Sequence, residues 1–374
     1  MASGDEPLQT SVAAGRGFEA SVVTVEREIE SLVAEWDALA DRTSATPFQR
    51  PGWVAAWWRA FGKGTLEILT VKRGGQLVGV LPLYHRHGTL ISTSNWHVPT
   101  FGSVADDSDV PQTLARTVFS RAPRHANLAF VDPGGPDLDA WRSAAEAAGY
   151  RALVRTLERS PYVELDSDWE TYRAGLNRRS LRDLERNLRR LEREGRVRLE
   201  ISEGGERLDA LLAEGFRLEA AAWKAARRTA ITSHAETLRF YGAVARWAAQ
   251  RGSLRLVFLK VGGHPIAFHY ALEEGGVYYP LKGGYDPAFR RVSPGSIIIH
   301  LTLKRAFCAG LTRYELLAGT EPYKLRWTTS CRDLVLFQAF APTIPGLLDR
   351  ALYAYVRPLA KRAHLGPLVA SVRR

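Results

Sequence analysis

Apolar positions along this chain fall in short runs separated by glycine pairs. Leu66 to Val71, then Gly74-Gly75, then Leu77 to Tyr84 reads as two strands joined by a tight turn. The pattern returns 188 residues later, where Gly252 to Gly263 aligns without a gap on Gly64 to Gly75 and a second apolar run extends from Pro265 to Leu272. A stretch rich in Trp and Ala precedes each copy, with helical periodicity. The second copy continues into a third strand at Gly276 to Lys282, a loop at Gly283-Gly284-Tyr285-Asp286-Pro287, an apolar helix from Ile297 to Ala309 and a last strand from Arg313 to Leu317. Hairpins first and a helix later predict an α/β (α+β) fold. It has tandem duplicated units, each a mixed, mostly antiparallel sheet flanked by helices, and is not a parallel doubly wound sheet.

Between the copies, Leu181, Leu184, Leu188 and Leu191 form one helical stripe with arginines elsewhere, and Gly195 is a natural stop. The expected organisation over 374 residues is a flexible start (1–20), a first lobe (21–165) and a basic connecting helix (166–200). A second lobe (201–345) and a basic amphipathic tail (346–374) complete it. The net charge of +11 resides in the arginine-rich stretch from Arg178 to Arg198 and in the tail from Arg350 onward, so it marks two local patches and not a general polyanion-binding surface. Two cysteines, Cys308 and Cys331, exclude a disulfide framework, and no Cys/His spacing suits zinc. With no signal-peptide pattern and no apolar run of membrane-spanning length, the expectation is a cytoplasmic chain without a metal.

Candidate chemistry concentrates at Arg290, Arg291, Ser293, Pro294, Gly295 and Ser296. A helix start has free amide N–H groups and the positive end of the helix dipole, which together with two arginines suit a diphosphate. The competing reading is an ordinary capped helix with Ser293 as N-cap and Pro294 in its first turn. The first copy has Asp106-Asp107-Ser108-Asp109 at the matching place, where carboxylates would repel an anion.

The order Glu219-Ala-Ala-Ala-Trp223-Lys224, Thr229-Ala230-Ile231, Pro265-Ile266-Ala267, Tyr285-Asp286, Ser293-Pro294-Gly295 and Glu321-Pro-Tyr323-Lys324-Leu-Arg-Trp327 resembles the GNAT-type acetyltransferases of the cellulose-biosynthesis (CelD-type) group, relatives of the FemAB-type peptidyltransferases. Pro47-Phe48-Gln49 and Trp53 to Trp58 extend the resemblance, which spans roughly residues 45–340. It implies an N-acyltransferase that takes acetyl-CoA or another acyl-CoA as donor. The acceptor would be an amine on a small molecule, a sugar or a polysaccharide or envelope precursor. Only Gly295-Ser296 matches the end of the usual donor-loop pattern, so an aminoacyl-tRNA donor stays open. A third reading is a non-catalytic scaffold that docks on a membrane surface through the tail.

Acyl transfer to an amine requires a polarised carbonyl, a base for the ammonium and an acid for the thiolate. Glu321 and Glu219 are the candidate bases, and His269 is a candidate proton shuttle. Tyr285 and Tyr323 are candidate acids, and Lys324 is a candidate anion contact. Trp223 and Lys224, one turn beyond Glu219, are expected in an acceptor cleft between the lobes.

Overall fold

The computed structural model describes residues 12–14, 17–221 and 230–356. The chain divides into two compact units. One comprises Met1–Val54, Gly62–Leu157 and Asp333–Arg374; the other comprises Ala55–Phe61 and Glu158–Arg332.

The first unit begins with β1 (Val12–Ala14), β2 (Phe18–Val23) and α1 (Glu26–Arg42), and α2 (Pro51–Phe61) crosses the division. It continues with β3 (Thr65–Arg73), β4 (Gln76–Arg86), β5 (Thr89–Ser92), β6 (Val104–Ala105), α3 (Val110–Ser120), β7 (His125–Val131) and α4 (Asp137–Ala147). The start of β8 (Arg151–Glu164) belongs to it as well. The strand order is β1-β2-β3-β4-β5-β7, and after β7 come a strand from the far end of the chain and β8. Leu69, Val71 and Leu83 from the strands pack with Val118 and Trp141 from α3 and α4.

The second unit holds the end of β8, α5 (Trp169–Gly175), α6 (Arg178–Glu194), β9 (Val197–Ser202), α7 (Leu208–Ala220) and α8 (Ala235–Gln250). After these come β10 (Leu254–Val261), β11 (His264–Glu274), β12 (Val277–Tyr285), α9 (Pro294–Cys308) and β13 (Arg313–Glu315), in the strand order β8-β13-β12-β11-β10-β9. The chain then returns to the first unit as β14 (Cys331–Phe340) and α10 (Ile344–Ala351).

The spacing of 188 holds for structure as well as sequence. Gln76–Arg86 maps onto His264–Glu274, the starts of β5 and β7 onto those of β12 and β13, and the end of α3 onto the end of α9. Even the ladder irregularity repeats, between Val71 and Lys72 in one hairpin and Leu259 and Lys260 in the other. Both hairpin turns run through two left-handed glycines, Gly74-Gly75 and Gly262-Gly263, which fits the twist of tight hairpins.

Several expected boundaries move. The expected connecting helix is part of the second unit, where α6 packs Leu184 and Leu191 into the core. Within the segment expected to be a flexible start, Val12–Ala14 and Phe18–Val23 are strands, and Phe18 and Ala20 are buried in the first unit's core. Residues 333–345 belong to the first unit and not to the second. Gly283 and Gly284 are strand and not loop, because the glycine serves a close approach. A Cβ on Gly284 would sit 2.4 Å from Glu219 Cα, so the close crossing of α7 over β12 at this point needs a glycine.

Candidate active site

The second unit's sheet has two different faces. On one, Trp169, Leu184, Ile297 and Leu303 from α5, α6 and α9 cover Val257, Ala267 and Tyr278. On the other, Phe216 from α7 stacks on Tyr270 and Tyr241 from α8 meets it edge-on, and the Tyr270 hydroxyl donates to Tyr241 O at 2.9 Å.

β12 pairs in parallel with β13 only at Val277–Arg313 and Tyr278–Tyr314, so the two strands part beyond that point. Where they part, β12 carries a bulge. Tyr270 pairs with Lys282 and Ala271 with Pro280, which leaves Leu281 as the extra residue. Pro280 fits a strand at this place because its neighbour on that side has already departed.

The chain leaves β12 through Asp286, whose side chain accepts from Ala288 N–H at 2.9 Å, and reaches α9 through Ser293. Ser293 is left-handed (φ 53°, ψ 58°), and its hydroxyl makes no capping bond. Such a conformation costs a serine about 1 kcal/mol. Pro294 comes next, in the first turn, and Ser296 N–H bonds back to Ser293 O at 3.0 Å.

This helix start opens on a cavity of about 210 Å³. Val292, Ile297, Leu181, Leu184 and Trp327 give it an apolar floor, while Ser293, Ser296, Arg179, Asp183, Asn187 and Arg326 supply polar groups. Asn187 is more than nine-tenths buried and forms part of the cavity wall. The indole N–H of Trp327 is buried without a partner, and buried polar groups left unmatched are uncommon.

The loop bringing Arg326 and Trp327 to the cavity is held by a lysine. Lys324 is buried; its Nζ donates to Leu317 O at 3.3 Å and to Ala318 O, and pairs with Glu321 at 3.2 Å. Burial lowers its pKa, and the Glu321 carboxylate offsets part of that. Tyr172 from α5 fixes the far end by donating to Trp327 O at 2.7 Å. Tyr323 and Glu321 are exposed on the outside of the loop, and the Tyr323 phenol is pushed up to about 12, first by desolvation and then by Glu321.

The expected site residues therefore separate. Ser293, Ser296 and the start of α9 line the cavity, and the Tyr285 ring lies 3.6 Å from where a Gly295 Cβ would be. Arg290 and Arg291 are exposed and do not line it. Lys324 is a loop clip, not an exposed anion contact. Glu219 is fully buried, accepts Ile231 N–H at 2.9 Å, and packs on the α7 side at Gly284. His269 pairs with Gly283 in register and shares the α9 face with Ala267 and Ala271, so the two candidates lie on opposite faces. Trp223 and Lys224 lie outside the described residues.

Arg179, Asn187 and Arg326 were missed by sequence reasoning. Asn187 carried a signal, as a polar residue next to the leucine stripe of α6, but only the packing of α6 on α9 gives that signal its meaning.

Residues 178–325 match the acetyltransferase (GNAT) domain family. None of the curated proteins is significantly similar in sequence. Among solved structures, the chain is similar to FemX, with 14% identity and a TM-score of 0.57 over 84% of this chain and 96% of that one. A C-terminal domain assigned to a lysylphosphatidylglycerol synthetase from Agrobacterium fabrum aligns at 14% identity and TM-score 0.54, over 87% and 97%. A conserved protein of unknown function from Bacteroides thetaiotaomicron aligns at 10% identity and 0.51, over 82% and 97%. The GNAT match runs from α6 through the donor-like helix start to the Lys324 loop, so the cavity walls fall almost wholly inside it. The fold is that of the GNAT-type acyltransferases. Among the described residues no helix is long and apolar enough to cross a membrane, and no group of acidic, His or Cys side chains has the makings of a metal site.

Proposed function

We propose that the second unit transfers an acyl group from an acyl-CoA, in the simplest case acetyl-CoA, to the amine of a small-molecule or polysaccharide-precursor acceptor. The observation that carries this reading is the uncapped start of α9. There Ser293 and Ser296 line a cavity that also presents Arg179, Arg326 and Asn187, a set suited to the phosphates and amides of such a donor. The part of β12 beyond Tyr278 supplies an edge for the donor's extended arm, with the thioester near the bulge.

In the transfer the amine nitrogen bonds to the carbonyl carbon and the carbon–sulfur bond breaks. The attacking amine loses a proton and the sulfur gains one. Tyr285, beside Gly295, is the proton donor to sulfur in this scheme, with Tyr323 as the alternative. Glu321 on the outer side of the loop takes the amine's proton. His269 relays a proton on the α9 face, and Glu219 holds the segment at Ile231 in place.

Calorimetry with CoA tests the donor site. The wild-type chain binds it, and Gly295→Asp, which has room for its side chain but sets a carboxylate at the helix start, loses at least about tenfold in affinity. Absence of binding by the wild type, or equal binding by the variant, overturns the proposal.

A second reading has an aminoacyl-tRNA as donor, and the arginines of α6 favour it. Arg178, Arg182, Arg189 and Arg193 are exposed along one side of a helix whose Arg179 forms part of the cavity wall, and none has an ion pair among the described residues. FemX shares the fold, as does the domain named for making an aminoacylated lipid. This reading requires tRNA binding that weakens steeply with salt; flat salt dependence excludes it.

A further inference from the structure

The first unit ends in a helix turned inside out. In α10 the buried positions are Gly346 and Asp349, the latter paired with Arg124 at 3.1 Å, whereas the outward stripe is Ile344, Leu347, Leu348 and Ala351. Ile344 is 77% exposed, Leu348 66% and Leu347 47%. A water-facing helix ordinarily presents its charged residues outward, and a clustered apolar stripe at such exposure marks a contact surface. The helix is firmly seated on its inner side. Thr343 caps it, and its backbone packs so closely at Gly346 that a Cβ there would meet Ala341 O at 2.3 Å.

The residues beyond this helix identify the occupant. After Asp349 the chain has no acidic residue, and it carries Arg350, Arg357, Lys361, Arg362, Arg373 and Arg374. Apolar side chains projecting from a helix that the sequence follows with cations and no acidic residue match a surface that is apolar beneath and anionic on top. We infer that α10 docks on an anionic lipid bilayer, with Ile344, Leu347 and Leu348 inserted among the acyl chains at the interface and the basic residues on the headgroups. A protein partner would meet the leucines equally well, but it would not call for an all-basic continuation. The inference is independent of the donor site, which lies in the other unit.

Co-sedimentation of the full chain with vesicles provides the test. The chain pellets with phosphatidylcholine vesicles containing phosphatidylglycerol, binds phosphatidylcholine alone at least about tenfold more weakly, and is released by salt. A Leu347→Glu, Leu348→Glu double variant, altered only at exposed positions, loses at least about tenfold in vesicle affinity while its melting temperature is unchanged. Ile344→Ser gives a smaller loss in the same direction. No capture by the anionic vesicles overturns the inference, as does equal capture of the double variant. Leucine-dependent self-association without vesicle binding, seen by light scattering, overturns it in favour of a second copy of the chain.

Discussion

Asp106 to Asp109 at the entry to α3 and Pro294 to Ile297 at the start of α9 are equivalent at the 188-residue offset and solve the same electrostatic problem differently. At α3, Asp107 accepts Asp109 N–H at 2.8 Å and pairs with Arg73 at 2.7 Å, while Asp106 pairs with Arg42 at 3.3 Å. The positive end of the helix is neutralised from within. At α9, Ser293 is left-handed and does not cap, and the helix end faces a cavity. The strands behave alike. β5 and β7 pair for three residues and are then stitched by Ser92, which accepts Ala129 N–H at 3.0 Å, and by Ser94, which donates to Ala129 O at 3.3 Å. The ladder of β12 and β13 ends at Tyr278. Similar scaffolds thus carry one helix start neutralised by carboxylates and one that lines a cavity, and a few side chains decide which.

The contrast between the units can be broken at several points. Gly284, squeezed against α7, has Trp96 as its equivalent, a residue 68% exposed. Gly284→Val should cost about 3 kcal/mol in chemical unfolding because helix backbone and not a flexible side chain opposes it, whereas Trp96→Gly should cost under about 1 kcal/mol.

The next contrast depends on pH. His300 on α9 is wedged between Trp169 and Trp327, and burial, helped by Arg173 and Lys304, lowers its pKa from 6.5 to about 4. The unfolded chain therefore takes up a proton below about 6.5 while the folded one resists until about 4. Stability is insensitive to this group above that window and falls through it by up to about 3 kcal/mol. His300→Phe should flatten that part of the pH profile, whereas His-free α3, with Gln112 at the matching place, should show no such slope. An unchanged profile would remove His300 as the cause.

Smaller effects sharpen the electrostatic difference. Asp107→Ala should cost about 1 kcal/mol through the lost local cap, little of it from the part-exposed ion pair with Arg73. Arg326→Glu should weaken CoA binding about tenfold, and Arg291→Glu less than about twofold, since only Arg326 lines the cavity. Equal losses at both arginines would mean that donor recognition depends on net charge and not on the cavity.

The fold was largely legible. Period-2 runs, glycine pairs and the stripe of α6 are local signals whose meaning survives any tertiary context, and the repeat at 188 residues tied them together. Glycines misled where their role was non-local: Gly283-Gly284 looks like a turn in one dimension and proves to be a helix crossing in three. Of the proposed donor site, the helix start at Ser293 to Ser296 has a signature in the sequence, whereas Arg290 and Arg291 adjoin it only along the chain, and a short helical turn carries them away from the cavity. Lys324 looked like a surface cation and turned out to be buried under its own loop.

By itself, then, the sequence determined most elements, their order, the return of the hairpin pattern after 188 residues and the helix start at Pro294, because hydrogen bonding and apolar periodicity are settled within a few residues. Only the tertiary structure decided which groups surround that end. Arg179 and Asn187 arrive from α6 and Arg326 from the loop after β13, and no local rule connects positions so far apart until the core they share has packed.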